Sequence, residues 1–266
     1  MSRGRSVGSQ VLPRLGALAA LVAVWWAVAA TGVFDRTILP APPEVAEAFA
    51  RSLLGQDRPG SESIVAATAA SLLRLAAGMT AAVAIGTVIG ALMAASPVIG
   101  RSVGSLMTGL QALPSISWLP LAILWFGLSE RAILFVVVIG AVPAVALATD
   151  SGIRLVPPLL VRAGRTLGAR GAVLYRRVVL PAALPGYVAG LRQAWALGWR
   201  ALMAGELIAT GSRGLGHLLD ASQQQFRTDL VLAVMLMIVL IGMFVEGVLG
   251  LVDRRVRGRR GLLATG

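Results

Sequence analysis

Three ionisable residues, Arg192, Arg200 and Glu206, stand in one otherwise apolar stretch, Gly186 to Ile208. A charge at membrane depth is costly, so such groups face a cavity, pair with one another or reach for an interface. At 1.5 Å per helical residue, Arg192 lies about 9 Å from Gly186 and Arg200 about 21 Å. Arg192 is placed to snorkel back to the nearer interface. Arg200 is too deep for that: it reaches the far interface, pairs with Glu206, or lines a path where it attracts an anion. Glu206 reads as a structural pair or as a solute contact. Ser115 and Trp118 fall where Pro114 and Pro120 interrupt another apolar stretch. Broken helices at membrane depth are tolerated where they line a cavity, so these two are path or gate residues, with core packing as the alternative.

Other chemistry is excluded by absence. There is no Cys, hence no disulfide, thiolate ligand or thiol nucleophile. The single histidine, His217, reads as a loop residue, and one His cannot build a multi-histidine metal site. All 24 basic residues are Arg. A Walker A loop needs its Lys on the nucleotide phosphates, so this chain supplies no such ATP site. No cluster of His, Asp or Glu within the apolar stretches supports catalysis. Gly214-Leu215-Gly216 looks like a fragment of a phosphate loop, but no strand precedes it, and it reads as a turn.

The surroundings are those of a membrane protein. Of 266 residues, 57% are apolar and only 14% charged, too few polar groups to clothe a soluble domain. Six runs approach the roughly 20 residues that cross a hydrocarbon core: Leu15 to Val33, Ser71 to Ala95 (with Arg74 near its start), Leu106 to Gly127, Ala132 to Thr149, Gly186 to Ile208 and Leu230 to Val252. The basic groups Arg3, Arg5 and Arg14, then Arg154 to Arg177, then Arg254 to Arg260, alternate with acidic or neutral segments. By the positive-inside rule both termini are cytoplasmic. The net charge of +12 is therefore assigned to membrane topology, not to nucleic acid. A cleavable leader ending near Ala27-Val28-Ala29 is the alternative for the first run, which continues past that point to Phe34. The expected organisation is a tail (1–14), one transmembrane domain (15–252) and a basic tail (253–266).

Two segments outside the spans carry amphipathic pattern. Glu44 to Leu54, after the stiff Leu39-Pro40-Ala41-Pro42-Pro43, puts Val45, Ala48, Phe49 and Leu53 on one face, and should lie at the outer interface. Residues 150–185 form two short helices about a turn at Gly168 to Gly171, striped by Leu159, Leu160, Ala163 and Leu167, and by Val173, Leu174, Val178 and Val179. A helix pair held between two spans moves as a body and can transmit force. Span two carries Ala82, Gly86, Gly90 and Ala94, a small-residue stripe for close helix packing.

The 150–185 segment resembles the permease subunit of binding-protein-dependent ABC importers. That family's signature is Glu-Ala-Ala, a Gly four residues after its last Ala, and a later Leu-Pro. Arg162-Ala163-Gly164, Gly168 and Leu180-Pro181, with Leu167 between them, occupy those positions. Leu113 to Gly127, Ala189-Gly190-Leu191-Arg192, Trp199, Glu206 and Gly214-Leu215-Gly216 are similar to the subgroup that imports sulfonates, taurine, nitrate, bicarbonate and some thiamine precursors.

The resemblance implies an all-α, type I importer permease with six transmembrane helices. A cytoplasmic coupling segment joins spans four and five, and an outer amphipathic helix follows span one. It implies ABC ATPase subunits that bind ATP and Mg, a second permease copy, an extracytoplasmic solute-binding protein, surrounding lipid and a bacterial inner-membrane location. No cofactor or metal belongs to the chain itself. The solute is a small anion, with a neutral heterocyclic precursor as the alternative. A stand-alone secondary transporter or channel is the rival class; it would be expected to show inverted repeats, and none is visible. Arg162 in place of the motif Glu leaves three readings: a compensating acid on the ATPase, a solvent-exposed charge without consequence, or weakened coupling.

Overall fold

The computed structural model describes residues 8–56, 62–208 and 213–258. Arg3, Arg5, Asp57, Arg58, Arg259 and Arg260, which entered the charge pattern, lie outside them. Every regular element among the described residues is helical. In chain order these are α1 (Gly8–Ala30), α2 (Pro42–Leu53), α3 (Ile64–Ala95), α4 (Pro97–Ala112), α5 (Leu119–Phe126), α6 (Glu130–Arg154), α7 (Pro158–Thr166), α8 (Gly171–Leu174), α9 (Leu180–Ile208), α10 (Leu215–Gln224) and α11 (Thr228–Gly258). A 3-10 turn covers Ser115–Trp118, and a π turn covers Tyr175–Val179.

Among the described residues α3, α6 and α11 are long and apolar enough to cross a membrane. A fourth crossing is made if α4 and the segment Ser115–Phe126 count as one span, but they are bent by 99°. The third expected span is therefore angular, not straight. Pro114 is the cause: it forces Leu113 into extended backbone (φ −73°, ψ 125°) and so stops α4. Pro120 sits in the first turn of α5, where a missing N–H costs nothing. The 29 residues of α9 have the length to cross, but Arg192, Gln193 and Arg200 dilute its apolar content. Helix α1 stops at Ala30, short of the expected Val33, before Gly32 at φ +69°.

The chain divides into two compact units, residues 1–65 with 218–237, and residues 66–217 with 238–266. In the first, Asp35 accepts hydrogen bonds from the Thr37 N–H (2.8 Å) and hydroxyl (2.7 Å), which hold its carboxyl below the usual range. Pro42 and Pro43 open α2, and Glu44 accepts from the Ala41 N–H at 2.9 Å. The expected amphipathic face forms, with Val45 and Ala48 buried. Ser52, not Leu53, completes it, because its hydroxyl accepts from the Ile64 N–H at 3.2 Å. Thr228 at the head of α11 donates to the Thr37 carbonyl at 2.5 Å.

In the second unit α6 is the central helix. Two-thirds (67%) of its apolar window is buried, against 28% for α3 and 11% for α11, so the latter two leave wide faces for lipid or partners. The α3 stripe packs on α6 as the small residues dictate. A Cβ on Gly86 would stand 2.6 Å from Val145 Cβ, and one on Gly90 would stand 2.4 Å from the Ala146 carbonyl oxygen. Gly190 on α9 meets Ala148 as closely, which seats α9 along α6 beside α3, where Thr87 and Tyr187 share a hydrogen bond at 2.8 Å. Ala82, Ala141, Val142, Ala144, Val145 and Ala194 form the resulting core.

Candidate solute path and coupling segment

The 99° break opens a cavity of about 330 Å³ between the end of α4, the 3-10 turn, α6 and α9. Gln111, Pro114 and Ser115 line one side, and Gly140, Leu197 and Arg200 the other. Gly140 is what lets the turn approach α6, since a Cβ there would lie 2.9 Å from Ser115 Oγ. Arg200 is exposed into this space and has no ion-pair partner among the described residues. Two of the expected path residues, Ser115 and Arg200, thus meet at one cavity whose remaining wall is mostly apolar.

The other two lie elsewhere. Trp118 packs half-buried on Leu119, Ala122, Ala132, Val136 and Ala201. Glu206 is wholly buried and pairs with Arg74, not with Arg200. Arg74 Nη1 donates to Glu206 Oε1 at 2.8 Å and to the Arg213 carbonyl, while Nη2 donates to Glu130 Oε1 at 2.7 Å. Ser71 Oγ lies 2.7 and 2.9 Å from the two Glu206 oxygens and accepts from the Leu215 N–H at 2.9 Å. The Gly216 N–H donates to Glu206 at 3.0 Å.

Gly214-Leu215-Gly216 is the cradle of this carboxylate. A Cβ on Gly214 would come within 2.5 Å of its oxygens, and one on Gly216 within 2.6 Å of its Cβ. A buried carboxylate so fully bonded is held and is not free to meet solute. Sequence reasoning missed Arg74 and Ser71. The available signal was their i, i+3 spacing at the head of an apolar helix, which puts a cation and a hydroxyl on one face. Arg192 is paired with Glu246 and lies 3.8 Å from Asp253 on α11.

The helix pair expected within residues 150–185 is present, with one difference in form. Helix α7 ends in a turn where the Ala169 N–H reaches the Gly164 carbonyl and Gly168 takes φ +86°. The second helix is not separate. From Gly171 the chain runs through α8 and the π turn into α9 without leaving helical backbone. The wide turn, closed by the Leu180 N–H on the Tyr175 carbonyl, lies just ahead of Pro181, which has no N–H to give.

Gly164 is buried, and a Cβ there would sit 2.9 Å from Val178 Cγ2 and 3.0 Å from Leu174 Cδ1. The departure from Ala at this position thus brings α7 close to the following helix. Arg162 and Ala163 are exposed, as are Leu159 (74%), Leu167 (88%) and Leu180 (52%); Pro181 is half-buried. These apolar side chains stand exposed on a segment that also exposes Arg162, Arg165, Arg170, Arg176 and Arg177.

The family described as the inner membrane component of binding-protein-dependent transport systems matches residues 82–258. The taurine transport system permease protein TauC of Escherichia coli (strain K12) is 32% identical over 93% of this chain and 89% of its own length. The bicarbonate transport system permease protein CmpB of Synechococcus elongatus is 33% identical over 84% and 81%. A putative aliphatic sulfonates transport permease protein, SsuC of Bacillus subtilis, is 28% identical over 90% and 84%. In fold, the chain superposes on a protein of the inward-facing MetNI methionine ABC transporter with a TM-score of 0.62, at 20% identity over 73% of this chain and 95% of that one. The chain belongs to this family and is an ABC importer permease, of type I fold.

Proposed function

We propose that the chain forms the path for a small inorganic or organic anion of the sulfonate, taurine, nitrate or bicarbonate kind. The observation that carries this is Arg200, a cation with no ion-pair partner among the described residues, on the wall of a largely apolar cavity beside Ser115. A guanidinium in a low-dielectric recess attracts an anion strongly and offers it paired donors. The names of the relatives, for taurine, bicarbonate and aliphatic sulfonates, support the same solute class.

In this reading both termini are cytoplasmic and the 150–185 segment faces the cytoplasm. A separate ATPase binds ATP and Mg and seats on Arg162, Ala163 and Leu167, while Gly164, Gly168, Leu180 and Pro181 shape the helix pair behind them. A second permease copy completes the path, and an extracytoplasmic protein delivers solute. The permease alternates between outward- and inward-open states. The anion biases that equilibrium only by binding the two differently.

The test is uptake of radiolabelled taurine, an alkanesulfonate, nitrate and bicarbonate by cells carrying the full system. Arg200→Gln lowers uptake of the transported anion at least tenfold while the assembled complex is still recovered in detergent. Unchanged uptake removes Arg200 from the path.

A further inference from the structure

A second cavity, of about 260 Å³, lies between α3, α6 and α9. Its apolar wall is Ile153, Leu180, Ala183 and Leu184, joined by Thr87, Thr149 and Tyr187. The hydroxyls are already engaged within the chain. Those of Thr87 and Tyr187 lie 2.8 Å apart in a shared hydrogen bond, and Thr149 Oγ1 donates to the Val145 carbonyl at 2.8 Å. The wall carries no charged side chain. Nothing on it replaces the hydration shell of a small oxyanion, which would pay for that loss in full. The cavity offers its occupant apolar surface.

The cavity is open. Leu180 and Leu184, which line it, are 52% and 40% exposed. An apolar cavity of about 150 Å³ already takes a benzene molecule, so this one admits a stretch of hydrocarbon.

Charge near the opening narrows the occupant further. Arg176 and Arg177 stand one helical turn before Leu180 and Pro181, about 6 Å along the axis. Both are exposed, and neither has an ion-pair partner among the described residues. An apolar chain joined over a short link to an anion satisfies both parts of the site, and that is the plan of a phospholipid. A second copy of this chain suits the arginines poorly. It has 12 acidic residues, and eight of them are already ion-paired among the described residues.

We infer that the α3–α6–α9 cavity, with Arg176 and Arg177, is a binding site for an anionic membrane phospholipid. The acyl chain lies between Leu180 and Tyr187, and the headgroup phosphate meets the two guanidiniums, which offer it paired donors. The site needs only that α3 and α6 cross the bilayer, as their length and apolarity allow. It stands apart from the Arg200 cavity, so either can fail without the other.

The experiment places the chain, purified with its partners, in phosphatidylcholine nanodiscs. These contain a trace of photoreactive lipid, either phosphatidylglycerol or phosphatidylcholine with the same diazirine-bearing acyl chain. Irradiation and peptide masses locate adducts on residues 149–153 and 180–187, at least fivefold more from the phosphatidylglycerol probe. The broad exposed face of α11 is labelled equally by both probes and serves as the reference. Arg176→Gln with Arg177→Gln removes the preference, so that the two probes label the cavity alike. Leu184→Trp obstructs the opening with the arginines in place, and lowers labelling there by both probes at least fivefold. Equal labelling of the parent cavity by the two probes, an unchanged preference in the double variant, or no adduct in the cavity overturns the site. Protection of the cavity by an alkanesulfonate in solution would give it to solute and overturns the lipid equally. Photoreactive p-benzoylphenylalanine at position 184 forms its adduct with lipid; one that joins two copies of the chain instead gives the cavity to the second copy.

Discussion

Arg74 and Glu206 show what single residues do here. Arg74 is nearly buried and Glu206 fully so, and each satisfies the other. Removing one member of a buried pair strands the other charge and costs about 3–5 kcal/mol, whereas removing both leaves no stranded charge. Arg74→Met and Glu206→Leu each therefore lower the thermal unfolding midpoint in detergent sharply. The double variant recovers a large part of the loss. Additive losses would refute the pairing. Arg200, on the same helix as Glu206, is the counterexample: among the described residues it has no partner to strand, so Arg200→Gln leaves the unfolding midpoint close to the parent's while uptake falls. The two arginines carry the same charge in similar apolar surroundings, and only the structure separates their roles. From sequence, Glu206 was open between pair and solute contact, because its partner lies 132 residues away in the chain.

At the scale of elements, two buried glycines predict opposite sensitivities. A Cβ on Gly90 meets the Ala146 backbone oxygen at 2.4 Å, and backbone at the centre of a core cannot step aside. Gly90→Ala destabilises by about 1–3 kcal/mol, despite the gain in helix propensity. A Cβ on Gly164 meets methyl groups of Val178 and Leu174 at 2.9 and 3.0 Å and no backbone, so a shift of the short helix α7 by a few tenths of an ångström relieves it. Gly164→Ala is then offset by the roughly 1 kcal/mol of helix propensity it gains, and the unfolding midpoint moves little. Unfolding followed by circular dichroism distinguishes the two; equal effects would mean that the α7 contact is as rigid as the α3–α6 contact. The α3 stripe was legible in the sequence because four-residue spacing of small residues has one physical use. The turn at Gly168 was legible for a like reason. The 99° bend was only half legible: Pro114 announces a break, but its angle depends on how α5 packs on α6. The continuity of α8 with α9 was not legible, since a π turn has no residue signature and Pro181 reads as a boundary.

For the whole molecule, the class of machine was legible through the resemblance of Arg162-Ala163-Gly164, Gly168, Leu180-Pro181 and Leu113 to Gly127 to the importer permeases, and the family match over residues 82–258 bears that class out. Leu159 and Leu167 are too exposed to serve this chain's own stability. Changing both to Asp leaves the permease folded but abolishes recovery of an ATPase with it from native membranes. Retention of the ATPase would move the docking face elsewhere. Arg162 is exposed on the same face. A charge reversal there, Arg162→Glu, lowers uptake severalfold if an acid lies opposite; uptake unchanged would mark a charge facing only water.

The unbroken run of helix through the π turn has a mechanical meaning. From Leu180 to Arg200 the axis covers about 30 Å at 1.5 Å per residue. A body of that length is a lever with its handle beside α7 and its tip at the cavity. A tilt of about 5° at the handle carries the tip through about 2.6 Å on that length, close to the span of one hydrogen bond. In the function proposed above, a small displacement at the α7 end is thus enough to offer or withdraw one guanidinium from an anion, with no change of fold at either end.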